Sequence, residues 1–230
     1  ATIIDTSFHK NQALELSGGA LEMLGTDASI FSCDYIDNSA HSDGGAVFMV
    51  FGELILQNSN IMANTANANG GGVYMGFSSS LNSNNNTFQE NLAGFNGGAI
   101  HMVATNELSS ENDQFNDNSA KNGGCICIDK PRRDLVSMLS PVFDRCKATL
   151  SGGAVHLFSS LDVRMNISSA IATENLAESG AGGKFNCGME VLNVLFFFNL
   201  HVLFCTLCFH FFQSKNRCHI LEERLQIHEF

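Results

Sequence analysis

Basic side chains are scarce in this chain, and the shortage is the first constraint on what it can bind. Its 12 Lys/Arg stand against 23 Asp/Glu, a net charge of −11. Residues 1–183 hold 8 Lys/Arg and 19 Asp/Glu, so the whole imbalance lies there. Phosphate backbones require clustered Lys and Arg, which excludes nucleic acid as a partner. Tryptophan is absent and only two prolines occur, whereas 21 glycines are a high count. Most of those glycines mark regular junctions rather than a flexible linker. An initiator Met and the basic and apolar regions of a signal peptide are also missing. The chain opens inside a repeat, at Phe8-His9-Lys10-Asn11, with no polar cap over the first unit. The start therefore reads as a cut through a longer protein, and the absent signal carries no information about secretion.

What is present is periodicity. Gly-Gly pairs start at Gly18, Gly44, Gly71, Gly97, Gly123, Gly152 and Gly182, in steps of 26, 27, 26, 26, 29 and 30 residues. An Asn-x-Ala motif precedes them at Asn11, Asn38, Asn64, Asn91, Asn118 and Asn175; one copy instead reads Cys146-Lys147-Ala148. Two motifs on one period predict a solenoid, whose units bury their apolar faces only by stacking. Within one repeat, 46–50, 54–59 and 61–66 read as three short strands. That leaves no room for a helix of ordinary length. The expected fold is all-β: a right-handed parallel β-helix of about seven rungs over residues 1–183, stacked about 4.8 Å apart. It should behave as a monomeric rod.

The columns of the repeat carry its chemistry. The second residue past each pair is Leu21, Val47, Tyr74, Ile100, Ile126 or Val155, and the fourth is Met23, Met49, Gly76, Met102, Ile128 or Leu157. These columns should face the core and the one between them solvent. The Gly-Gly pair should mark a corner with positive φ or a close approach of coils. Three residues before each Asn stand Phe8, Tyr35, Ile61, Phe88, Phe115 and Phe143, then Ala172, predicting rings stacked along one inner corner. The asparagines read as a structural ladder, each amide bonding the coils above and below.

The GGA-plus-apolar and FxxN motifs resemble the repeats of chlamydial polymorphic outer-membrane proteins and related β-helix proteins of protists and algae. Gly97-Gly98-Ala99-Ile100 matches in full, as do Phe8-x-x-Asn11, Phe88-x-x-Asn91 and Phe115-x-x-Asn118. The resemblance implies a secreted passenger-type module concerned with adhesion. The expected function is thus a non-catalytic, secreted or cell-surface repeat module binding glycans or surface proteins. The rival is a carbohydrate-active β-helix enzyme, of polysaccharide lyase or hydrolase type, whose catalytic rungs lie outside this fragment. Such sites set acidic residues on adjacent rungs, whereas the outward column Glu22, Phe48, Met75, His101, Cys127, His156 holds one carboxylate. No cofactor is expected. Zinc suits imidazole and thiolate, making His101, Cys127 and His156 a metal candidate, but three ligands in line fit a tetrahedral ion poorly. Asn85-Asn86-Thr87 and Asn166-Ile167-Ser168 have the form of glycosylation acceptors.

Eight cysteines lie at 33, 125, 127, 146, 187, 205, 208 and 218. Cys33, Cys125 and Cys146 each replace a different repeat residue, which suits small buried hydrophobes. A Cys125–Cys127 or Cys125–Cys146 bridge is open but not favoured. After Gly183 the repeat breaks. Residues 191–212 lack charge and are long enough to span a membrane as a single helix, with positive residues just beyond. The Gly183-Lys184 codons can also embed a splice donor, so the 184–230 tail reads alternatively as a translated intron lying as a helix beside the rod.

Overall fold

The computed structural model describes residues 1–130, 135–158 and 164–179, with strand segments at Phe185–Gly188, Leu195–Phe197 and Phe209–His210. Apart from those segments, the tail expected to be a membrane helix or a translated intron lies outside the described residues. Among the described residues no helix is long and apolar enough to cross a membrane. The chain winds as an all-β parallel solenoid of about six turns. The seventh Gly-Gly, at Gly182, falls outside the described residues.

The first turn sets the plan with β1 (Thr2–Ile4), β2 (Ser7–His9), β3 (Gln12–Ala13) and β4 (Leu21–Leu24). Each strand pairs in parallel with its counterpart one coil on, so four sheets run along the solenoid. A coil therefore has four strands, not the expected three. The segment read as one strand over 61–66 is two, Asn60–Met62 and Thr65–Ala66. Ala63, at φ 55°, turns the chain between them.

Single left-handed residues make the corners. One column follows the β1 sheet, including Asn58, Asn85 and Asn112. A second follows the β2 sheet, including Asp37, Glu90 and Asp117. Asn and Asp tolerate this conformation better than most residues. The first glycine of each pair is the third such corner, with φ between 60° and 70° at Gly18, Gly44, Gly70, Gly97, Gly123 and Gly152. The second glycine answers a different demand. A Cβ on Gly19 would lie 2.1 Å from the Gly45 carbonyl oxygen of the next coil, and one on Gly98 2.2 Å from that of Gly124. Both reasons expected for the pair operate, one on each glycine.

One register expectation is corrected. Three glycines occur at 70–72, and the left-handed corner is Gly70 rather than Gly71. Val73, not Tyr74, pairs with Val47 and Ile100, and Met75, not Gly76, pairs with Met49 and Met102. Val73 and Met75 are fully buried. Tyr74 joins the opposite column, where Met75 had been expected. Gly72 takes the small position held elsewhere by Ala46 and Ala99, and there a Cβ would meet Ile61 Cγ2 at 2.9 Å. The coil that substitutes Ile for an aromatic ring also gives up its Ala methyl.

The core is a set of columns. Phe8 stacks on Tyr35 at 4.9 Å between ring centroids, Phe88 on Phe115 at 4.9 Å, and Phe115 on Phe143 at 5.0 Å. Ile61 interrupts the run between Tyr35 and Phe88. Beside it runs the asparagine ladder. Asn91 Oδ1 accepts from the N–H and Nδ2 of Asn64, both at 3.0 Å, while Asn91 Nδ2 donates to the Ile61 carbonyl at 2.8 Å. The same pattern links Asn11 to Asn38 and Asn38 to Asn64. Each amide thus satisfies peptide groups that the bend removes from the sheets.

Two further polar ladders have no counterpart in the sequence reading. Asp43, Asn69, Asn96 and Asn122, each just ahead of a corner glycine, are joined by Nδ2 bonds of 2.9–3.0 Å. Ser59, Asn86 and Asp113 form the other: the Cys33 N–H donates to Ser59 Oγ, the Ser59 N–H to Asn86 Oδ1 and the Asn86 N–H to Asp113 Oδ1. Asp113 is fully buried. Burial pushes its carboxyl pKa upward, against hydrogen bonds from Ser110 and Asn86. Asn86, one coil earlier, shows that an amide fits this column. Asp113→Asn should therefore raise stability by about 1–2 kcal/mol at pH 7, by removing a buried charge while keeping the acceptor. A lower midpoint in chemical denaturation would show that the carboxylate is required.

Candidate functional site

The outward column of the β4 sheet runs Glu22, Phe48, Tyr74, His101, Cys127, His156. The structure places the metal candidates His101, Cys127 and His156 on successive coils in direct register. Phe48 stacks on Tyr74 at 4.9 Å, and Tyr74 meets His101 at 5.5 Å with the rings tilted by 46°. The column was expected to face solvent, yet Tyr74, His101 and Cys127 are buried. His101 is only 3% exposed, and neither of its ring nitrogens has a hydrogen-bond partner. Burial lowers its pKa to about 3, lowers that of His156, and raises the Cys127 thiol well above its usual value. A neutral thiol is a poor zinc ligand. Among the described residues no group of three or more His, Cys, Asp or Glu is arranged to hold a metal ion.

The buried imidazole makes stability depend on pH. Unfolded His101 takes a proton below about pH 6.5, whereas the folded group resists it down to about pH 3. Stability is lost as pH falls through that window, at up to about 1.4 kcal/mol per pH unit. His101→Phe should continue the Phe48–Tyr74 ring stack and remove this term. Its gain over the native chain should be about 2 kcal/mol larger at pH 5 than at pH 7. Equal gains at both pH values in thermal melts would assign the acid sensitivity elsewhere.

The corner after this sheet is exposed and aromatic. Phe51 and Phe77 both hold left-handed backbone, at φ 58° and 51°, an outlying conformation for a bulky residue. They are 59% and 45% exposed, and their rings stack 5.9 Å apart. Gly25 precedes them in the column, and a Cβ built there meets nothing within 4 Å. One face of the pair is therefore open. Carboxylates lie close along the chain: the Glu53 N–H, two residues past Phe51, donates to Asp27 Oδ1 at 2.9 Å.

One set of charged groups is paired structurally. Arg145 Nε and Nη2 donate to the two oxygens of Asp117 at 2.8 and 2.7 Å, and Nη1 donates to Asp144. The Arg145 hydrogen bond holds the Asp117 carboxyl below its usual range, so it stays ionised and is no proton donor. Both sequon asparagines, Asn85 and Asn166, are exposed. Asn85 Nδ2 donates to Asn58 Oδ1 at 2.7 Å.

A disulfide joins Cys125 to Cys146, with Cα atoms 5.5 Å apart. This corrects the expectation of small buried hydrophobes at those two sites. The two residues belong to different motifs, which hides their proximity in the sequence, but their columns touch on adjacent coils. Cys33 and Cys127 are free and buried. No protein-family model, curated protein or solved structure matches this chain. The described residues form a parallel β-solenoid of about six turns with an exposed aromatic corner and a cross-coil disulfide.

Proposed function

We propose that the chain is part of a non-catalytic, secreted or cell-surface β-solenoid module that binds glycans along its acidic flank. The observation that carries this reading is the Phe51–Phe77 pair. An exposed ring face flanked by carboxylates can stack on the apolar face of a pyranose while acidic oxygens accept from its hydroxyls. The Cys125–Cys146 bridge supports an oxidising compartment, such as the extracellular space. The GGAI and FxxN motifs support kinship with the polymorphic outer-membrane protein repeats.

Glycan-array binding of the native chain and of Phe51→Ala/Phe77→Ala tests the reading. The native chain should retain neutral glycans, and the double variant should lose at least tenfold in affinity. Both side chains are exposed, so the fold should survive with an unchanged melting temperature. Equal binding by the two proteins would remove the aromatic corner as the site. Release of reducing or unsaturated ends from a polysaccharide would instead establish the enzymatic alternative.

A further inference from the structure

The asparagine ladder has one missing rung, and the disulfide stands at that place. From Asn11 to Asn91 each backbone N–H in the column donates to the amide oxygen of the next coil, at 2.9–3.0 Å. The next position is Cys146, which has no amide oxygen to offer Asn118. Beyond it the ladder resumes, with the Cys146 N–H donating to Asn175 Oδ1 at 2.9 Å. Its partner Cys125 also departs from its column, the small position after each Gly-Gly that Ala46, Ala99 and Ala154 fill elsewhere. That small column abuts the Asn column of the following coil: a Cβ on Gly72 would lie 3.5 Å from Asn91 Cγ. Cys125 and Cys146 stand in the same relation, so the two departures are in contact. Asn118 Nδ2 lies 3.3 Å from Cys125 Sγ, beside the bridge.

We infer that the Cys125–Cys146 bond is a covalent splice for the missing amide link, and that it makes the join between these two coils sensitive to reduction. Every other link in this ladder is a redox-inert hydrogen bond. At this join alone, breaking one S–S bond removes the tie and leaves two thiols at a site with no amide to replace it. A dithiol such as dithiothreitol supplies the two electrons and two protons and leaves as its own cyclic disulfide. The strands Lys147–Ser151 and Leu176–Ala177 then keep their sheet pairing but lose their anchor to the inner corner. The buried thiols Cys33 and Cys127 serve as internal controls, being unbridged.

The test is hydrogen exchange resolved by peptide on the full chain, with and without dithiothreitol. Mass spectrometry monitors the state of the bond. Reduction should speed exchange in residues 142–177 at least tenfold and leave residues 28–93 unchanged. Cys125→Ala/Cys146→Asn restores the Ala–Asn pair of the other coils, so in reductant its exchange should match the oxidised native chain. Cys125→Ala alone should resemble the reduced chain. An oxidised protein in which these two cysteines are unjoined would overturn the inference. So would a fully reduced chain with unchanged exchange, or a double variant no better protected than the reduced native chain.

Discussion

Phe115→Asp will unfold the coils on either side of it. Phe115 is fully buried between Phe88 and Phe143 at the centre of the aromatic run. Losing a core phenylalanine costs about 3–5 kcal/mol. The carboxylate adds several more, because Phe115 sits within the buried apolar cluster. A whole domain has only about 5–15 kcal/mol of stability. Coils contact only their neighbours, so the damage should spread as a local opening rather than one all-or-none transition. Hydrogen exchange should show lost protection at Phe88–Phe143 first. Retention of native protection there would mean that this column is not the core of the solenoid.

Asn91→Ala should cost about 3–5 kcal/mol, more than its size suggests. The change leaves the Asn64 N–H without its acceptor and the Ile61 carbonyl without its donor, both inside the solenoid. Each buried orphan costs about 1–3 kcal/mol. Asn91→Asp separates the two functions, since it keeps the acceptor and loses the Nδ2 donor. It should fall between the native chain and the alanine variant near pH 4 and approach the alanine variant near pH 8, where the buried carboxylate ionises. Denaturation midpoints that place Asn91→Ala within about 0.5 kcal/mol of native would reduce the ladder to decoration.

Much of this fold is written in the sequence because the same demand recurs on every coil. A glycine pair is needed wherever one corner turns left-handed and the next residue meets a carbonyl, so the repeat announces itself. The failures have equally local causes. Strands β2 and β3 are parted in each coil by one left-handed residue with no Gly or Pro to mark it, so 61–66 reads as a single strand. Three glycines at 70–72 allow two phases, and only the φ of Gly70 decides between them. The Asp43–Asn122 ladder hides in what reads as a return loop, although a polar residue before each corner glycine was there to be noticed. The burial of His101 depends on surroundings that one column cannot reveal. The candidate binding corner was the least legible feature. Phe51 and Phe77 look like ordinary apolar residues until backbone geometry and exposure are known.

The four corners differ in how much length they tolerate. From the innermost β1-sheet residue to the aromatic column the chain always takes five steps, as at Leu56–Ile61, Ser83–Phe88 and Met138–Phe143. The next stretch also takes five, as at Ile61–Ala66 and Phe143–Ala148. Between the β4 and β1 sheets the interval instead grows from four at Val50–Leu54, through five at Val103–Leu108, to seven at Asp129–Val136 and Phe158–Met165. The largest growth in length falls at the one edge that carries no polar ladder, whereas the stretch from the β3 to the β4 sheet varies only between eight at Ala13–Leu21 and six at Ala120–Ile126. That edge is therefore its natural graft site. A foreign peptide spliced between positions 104 and 107 would be displayed at this edge, one coil beyond Phe77, with the girth of the coils unchanged.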